Sequence, residues 1–221
     1  ARLSKFALEV VFNKETTEWQ LSYDGRKAEP VFLPVQFPLV LAMGVEGIAV
    51  GLSTKILTHN FCELILASIE VLKGNPTKIL PDFANGGFID VTDYNSAERG
   101  SKIRCRAKME VTDKKTILIK EIPYGTTTSS LIDSIIKAND KGKIKIKKVT
   151  DNTAANVEIA IELAAGVSPD VTVDALYAFT DCEISISPST CVIEDDTPLF
   201  LTVDEILRRS TKNTKNLLKL E

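Results

Sequence analysis

The chain has 221 residues, of which 44% are hydrophobic, 26% charged and 6% aromatic, with a formal net charge of −3. That apolar fraction excludes disordered and collagen-like architectures, and the length fits one large domain or a small domain with flanking pieces. No apolar run reaches the roughly 18 residues of a membrane span, and no basic region leads into an apolar one as in a secretion signal. Leu3, Phe6, Ala7, Val10 and Val11 fall on one helical stripe, and with no cap before them they predict a helix already under way where the chain begins. Tyr23-Asp24-Gly25 reads as a turn, and Pro30, Pro34 and Pro38 punctuate the stretch before a glycine-rich run, Gly44 to Gly51. Asn60 with Glu63 three residues later starts a helix bearing Leu64, Ile65, Ile69 and Leu72, which Gly74 and Pro76 stop. Asn85-Gly86-Gly87 is a turn. Strands are predicted over residues 103–109, 117–122, 144–149 and 157–163, and helices over 131–138 and around 173–179. Thr202 and Glu205 form a capping box opening a last helix with Ile206, Leu207, Leu217, Leu218 and Leu220, which meets no stop signal before Glu221. The pattern is that of an α+β protein whose ends are both cut through helices.

The small net charge hides a strong asymmetry. Residues 99–148 carry 14 Lys/Arg against 5 Asp/Glu, a balance of +9, whereas residues 151–205 carry 12 Asp/Glu and no Lys/Arg, a balance of −12. Lys102, Arg104, Arg106 and Lys108 alternate with Ile103, Cys105, Ala107 and Met109, so a strand there has one basic and one apolar face. Lys143, Lys145 and Lys147 alternate with Ile144 and Ile146 in the same way. Two readings stand side by side: a phosphate-binding face, or the solvated outer face of a half-buried antiparallel sheet.

Several chemistries are disfavoured outright. Cys62, Cys105, Cys182 and Cys191 include no closely spaced pair, which suits buried free thiols better than a disulfide framework or a zinc site. His59 is the single histidine and precedes a predicted helix, so a capping or packing role outweighs catalysis. The glycine run is spaced G-x-x-G-x-x-x-G and lacks the Gly-Lys-Ser/Thr of a P-loop, so it does not read as a nucleotide cradle. It does set an apolar Ile48 on a tight turn.

Leu33-Pro34-Val35-Gln36-Phe37-Pro38, followed by Gly44-Val45-Glu46-Gly47-Ile48-Ala49-Val50-Gly51-Leu52-Ser53-Thr54-Lys55-Ile56-Leu57-Thr58-His59-Asn60, strongly resembles the A subunit of bacterial type IIA DNA topoisomerases, DNA gyrase and topoisomerase IV. Matches continue at Pro81-Asp82-Phe83 with Gly86-Gly87, at Arg99-Gly100 with Lys102, and at Glu121-Ile122-Pro123-Tyr124, so the likeness covers nearly the whole chain. Val45-Glu46 leans towards topoisomerase IV. The resemblance implies the tail of a winged-helix domain with a DNA-bending loop over residues 1–58. A mixed α/β tower domain with an antiparallel sheet follows over 59–201, and the start of a coiled-coil arm over 202–221. It places the DNA-attacking tyrosine three positions before Ala1, so this stretch has no catalytic residue and is expected not to cleave DNA. Tyr23, Tyr94, Tyr124 and Tyr177 do not match that nucleophile.

The same resemblance makes Ile48 the side chain wedged between base steps, which costs unstacking and gains a bent duplex touching more protein. It makes Arg99 and Lys102 phosphate contacts, and strand period extends that patch to Arg104 and Arg106. The implied partners are double-stranded DNA, a B subunit carrying ATP hydrolysis and the Mg²⁺ site, and a second A subunit in the full-length homodimer. No cofactor or metal is expected on this stretch itself. Its implied location is cytoplasmic, with no membrane contact. Glu194-Asp195-Asp196 before Thr197-Pro198 reads as a turn rather than a metal site. Thr58 stands where the family has proline, and Thr126-Thr127-Thr128 where it often has lysine, which weakens any DNA contact on the helix that follows. The competing reading is a non-catalytic α+β interaction or scaffold domain whose basic sheet face is merely solvated.

Overall fold

Local sequence signals place most element boundaries in the computed structural model, which describes residues 2–221. The chain forms two compact units, one containing the chain up to Pro81 together with Ser96–Arg99 and Ser189–Glu221, the other Asp82–Asn95 and Gly100–Pro188. Among the described residues no helix is long and apolar enough to cross a membrane.

The first unit opens with α1 (Lys5–Val10). The expected helix does not run from the start of the chain: the Ser4 hydroxyl accepts the Ala7 N–H at 3.1 Å and fixes the first turn there, leaving Leu3 outside. Strands β1 (Trp19–Leu21) and β2 (Ala28–Pro30) form a hairpin across the predicted turn, where Asp24 accepts from the Ser22 hydroxyl at 2.7 Å and the Arg26 N–H at 3.1 Å. Helix α2 (Leu39–Met43) buries Leu41, and the glycine run then forms β3 (Val45–Ile48) paired with β4 (Ser53–Ile56). Helix α3 (Phe61–Lys73) has both expected signals: the Asn60 side chain accepts the Cys62 and Glu63 N–H groups at 3.0 and 3.3 Å, and Gly74 takes the left-handed conformation at its end. Phe6, Phe37 and Phe61 pack edge-on or tilted, with centroids 5.5–5.9 Å apart.

The second unit holds two antiparallel sheets. Strand β5 (Phe88–Asp90) pairs with β6 (Ile103–Arg106). Strands β7 (Lys108–Asp113) and β8 (Thr116–Glu121) form a hairpin. The single strand expected over 103–109 is therefore divided between two sheets. Ala107 is the break: its N–H bonds the Cys182 carbonyl and its own carbonyl accepts from the Tyr177 hydroxyl, both at 2.8 Å, so it belongs to neither strand ladder. Helix α4 (Thr128–Asp140) begins earlier than its apolar stripe because Thr127 and Ser130 cap it reciprocally. Strand β9 (Ile146–Asp151) starts two residues later than expected, since residues 141–145 turn away from α4 first. Strand β10 (Ile159–Leu163), helix α5 (Pro169–Phe179) and strand β11 (Glu183–Ile186) complete the unit, with sheet orders β7-β8-β10-β9 and β11-β6-β5. The core lies where β8 and β10 pair Ile119 with Ile159 and Ile117 with Ile161, all fully buried beneath Leu131 and Ile135 of α4 and Leu176 of α5.

Back in the first unit, β12 (Cys191–Glu194) and β13 (Thr197–Phe200) are joined through Asp195 and Asp196, both at positive φ, so the acidic run is the expected turn. Glu194 is ion-paired with Arg209. Helix α6 (Val203–Leu220) carries the expected Thr202/Glu205 capping box and lays Val203, Ile206, Leu207 and Leu217 against the unit, in contact with α3 and α2. All four thiols are free. Cys105 and Cys182 are buried, and burial pushes both up to about 11, while Cys62 departs from expectation by lying exposed on the first turn of α3. Replacing Ile119 by Ala should cost about 2–5 kcal/mol in urea unfolding, because it opens a cavity at the centre of the β8–β10 pairing.

Candidate nucleic-acid interface

The glycine run builds one rigid projection. Gly44 ends α2 at φ +67°, and a Cβ there would lie 2.8 Å from the Ile56 carbonyl oxygen, so no other residue fits the base of the hairpin without strain. The register then pairs Val45 with Ile56, Glu46 with Lys55, Gly47 with Thr54 and Ile48 with Ser53. At the tip the Ala49 N–H bonds the Leu52 carbonyl at 2.8 Å, and Gly51 turns the chain at φ +76°. The base is anchored by Ile56 and Leu57, both buried, and by His59, whose buried ring Nδ1 lies 3.1 Å from the Leu41 carbonyl oxygen. His59 is thus the packing residue expected. The outer edge of β4 is held as well: Lys55 and Ser189 exchange two backbone hydrogen bonds at 2.6 and 3.1 Å. The Thr54 hydroxyl donates to the Ser189 carbonyl and accepts from the Cys191 N–H, each at 3.2 Å.

On this braced base the tip is apolar and bare. Ile48 is 92% exposed and Val50, which sequence reasoning did not single out, 103% exposed. Burying a side chain of this size stabilises by about 1.5–3 kcal/mol, a gain the hairpin forgoes at both positions. Exposed apolar side chains occur elsewhere in the first unit too, at Tyr23, Phe32 and Met43 among others, so what sets this pair apart is its place on the tip of an anchored hairpin.

The basic residues divide into two groups. Lys102, Arg104, Arg106 and Lys108 are exposed while Ile103, Cys105 and Ala107 are buried, as the alternation requires. Arg104 faces Asp90 across β5–β6 and pairs with it at 2.5 Å. Arg106 pairs with Glu183 of β11 and also lies over the Tyr177 ring, 5.0 Å from its centroid. Lys108 pairs with Glu121 at 3.1 Å. Arg99 falls in the first unit and Lys102 in the second; both are exposed and neither has an ion-pair partner among the described residues. The carboxylates facing this strand were missed because cross-strand register joins residues 14 and 77 positions apart, which leaves no local signal.

Two of the quoted motifs meet in the second unit. Glu121, from Glu121-Ile122-Pro123-Tyr124, accepts the Gly87 N–H at 2.5 Å, and a Cβ on Gly86 would lie 2.7 Å from the Glu121 carboxyl carbon. That N–H, then Lys108, holds the Glu121 carboxyl below its ordinary value. Tyr124 stacks on Phe83 with centroids 4.2 Å apart. These residues clamp the turn before β5; they support the basic strand rather than extend it.

Gly44→Ala should lower Tm measurably and increase proteolytic cutting between residues 44 and 56, since both φ and space oppose a side chain there. Asp90 is held at about 2, against an ordinary 3.8, by the Thr92 hydroxyl and N–H and then by Arg104. Its contribution is whole above 3.8 and is lost as pH falls towards 2. Asp90→Asn should therefore flatten the fall of Tm across that window, followed by circular dichroism, and leave the slope above pH 5 unchanged.

A family model for the A subunit of DNA gyrase/topoisomerase IV matches residues 1–221. The chain is 41% identical over 220 residues to the A subunit of DNA topoisomerase 4 from Borreliella burgdorferi, covering 100% of this chain and 35% of that protein. It is 34% identical over 225 residues to the DNA gyrase A subunit of Lawsonia intracellularis (93% of this chain, 27% of that protein), and 32% identical over 229 residues to that of Chlamydia trachomatis (94% and 27%). The chain therefore spans 27–35% of the length of these curated relatives. With the glycine-run hairpin, the Glu121 clamp and a match along its whole length, the chain belongs to the family of DNA gyrase/topoisomerase IV A subunits.

Proposed function

We propose that this chain binds and bends duplex DNA as part of an ATP-dependent type IIA topoisomerase, in which two A subunits work with B subunits carrying ATP hydrolysis and the Mg²⁺ site. The observation that carries the reading is the bare Ile48 on a hairpin whose base is fixed at Gly44, Ile56 and Ser189. An apolar wedge needs a stiff support, because unstacking a base step costs a few kcal/mol that a mobile loop would not deliver. In this reading residues 1–58 close a winged-helix domain, 59–201 form the tower and 202–221 open the coiled-coil arm. The setting is cytoplasmic.

Arg99 and Lys102, which have no ion-pair partner among the described residues, take phosphates; the contact is sequence-independent and weakens with salt. Arg104 and Arg106 bring less net charge to DNA, since Asp90 and Glu183 neutralise them. That pairing is the one observation favouring a solvated face for this part of the strand. In this reading the nucleophilic tyrosine is none of the four here, of which Tyr94 is buried, Tyr124 stacked, Tyr177 bonded to the Ala107 carbonyl and Tyr23 exposed on a hairpin turn. The Lys55–Glu46 pair on the hairpin flank, 3.1 Å long, keeps the second strand's charge local and leaves the tip to apolar contact.

Fluorescence energy transfer across an end-labelled duplex tests the wedge. Ile48→Ala should return the transfer efficiency most of the way to that of free DNA, while affinity at low salt changes less than about threefold because phosphates carry it. Unchanged bending would remove Ile48 from the role, and absence of any binding at low salt would remove DNA as the partner.

A further inference from the structure

The lysine-rich turn after α4 plays no part in the interface just described. Between Lys137 and Lys148 stand six lysines and one carboxylate, Asp140. All six lysines are exposed. Among the described residues Lys147 alone of them has a carboxylate partner, Glu162 at 3.5 Å, and Lys143 lies over the Phe179 ring, 5.4 Å from its centroid.

The turn presents them on a fixed backbone. Gly142, at φ +68°, reverses the chain, its N–H bonding the Asn139 carbonyl at 2.9 Å and the Lys143 N–H bonding the Ala138 carbonyl at 3.0 Å. Ile144 is buried as the anchor, and the Asn139 side chain accepts the Ile146 N–H at 3.0 Å. Strand β9 then bulges: Ile146 faces Leu163 and Lys148 faces Glu162, so Lys147 is the extra residue, which re-aims the lysines at the sheet edge.

Edge strands and helix C-termini both favour lysine for structural reasons. The comparison within this same unit argues for more than that. On the other basic strand Arg104, Arg106 and Lys108 each have a carboxylate across the ladder, and Lys120 has Glu158 at 2.6 Å. Along that strand only Lys102 lacks an ion-pair partner among the described residues, whereas of the six lysines here only Lys147 has one. Ordering costs are small because the backbone is already set, so a polyanion gains most of the Coulomb energy.

We infer that the turn after α4 and the edge of β9 form a second docking surface for the phosphate backbone of duplex DNA, with Lys141, Lys145 and Lys148 as its unpaired contacts. The inference rests on the DNA-binding reading above, with sites of its own. The test is the salt dependence of binding to a fluorescent duplex, for the wild-type chain and for K141Q/K145Q/K148Q. Each lost phosphate contact should flatten the plot of log K against log salt by about 0.9, so the triple variant should be shallower by roughly 2–3 and bind several-fold more weakly at 100 mM salt. The double variant K145Q/K148Q, with a melt matching wild type, should give an intermediate slope. Wild-type binding with unchanged slope and affinity in both variants overturns this surface and leaves the hairpin reading standing. A wild-type chain that binds no duplex at low salt overturns both.

Discussion

Two backbone hydrogen bonds exchanged by Lys55 and Ser189 mark where the first unit closes after a long excursion of the chain. The polypeptide leaves that unit at Pro81 and rejoins it for good at Ser189, with only Ser96–Arg99 returning in between. Closing so long a loop costs entropy, though the cost grows only with the logarithm of length. It is offset at the point of closure, where Thr54, Cys191 and the β12–β13 hairpin reinforce the outer edge of β4. Everything required of the apolar tip follows from this seam. A hairpin of two strands is marginal by itself, and a third segment along its edge converts it into a support.

Charge in this molecule is managed by pairing. The −3 total is the near-cancellation of a basic and an acidic stretch, which folding joins, among the described residues, at three ion pairs, Arg106–Glu183, Lys120–Glu158 and Lys147–Glu162. Asp90 and Glu183 flank the central strand of a three-stranded sheet and neutralise two of its arginines. Among the basic residues that have no ion-pair partner among the described residues are Arg99 and Lys102, and Lys141, Lys145 and Lys148 around Gly142. Exposed pairs of this kind add little stability, so their main effect is on where the protein attracts and where it does not.

Much of this was legible in the sequence, and the reasons differ by element. Helices α3 and α6 announce themselves because Asn60, Gly74, Thr202 and Glu205 act on neighbours within one turn. The glycines and the resemblance they carried announced a tight turn bearing Ile48 but not the two paired strands that frame it; Ile48 lies exposed at the end of β3. The starting point of the first helix and the division at Ala107 were not legible. Ser4 looks like one more polar residue until its hydroxyl is seen on the Ala7 N–H, and an unbroken alternation from Ile103 to Met109 conceals a change of sheet decided by Cys182 and Tyr177, some 70 residues away. Register partners such as Asp90 were hidden for the same reason. Periodicity reports which face is buried and is silent on what lies opposite.

The change of sheet at Ala107 has a mechanical side. One peptide separates two ladders, and both polar groups of Ala107 are tied, the N–H to Cys182 and the carbonyl to the Tyr177 hydroxyl. The three-stranded and four-stranded sheets are therefore joined through one short segment whose polar groups are both tied. Arg104 and Arg106 in one sheet are thus linked to β7 in the other by a single covalent segment, with Ala107 held on both sides by hydrogen bonds of 2.8 Å. The two sheets of the second unit are in this sense continuous at Ala107 rather than separated by a loop.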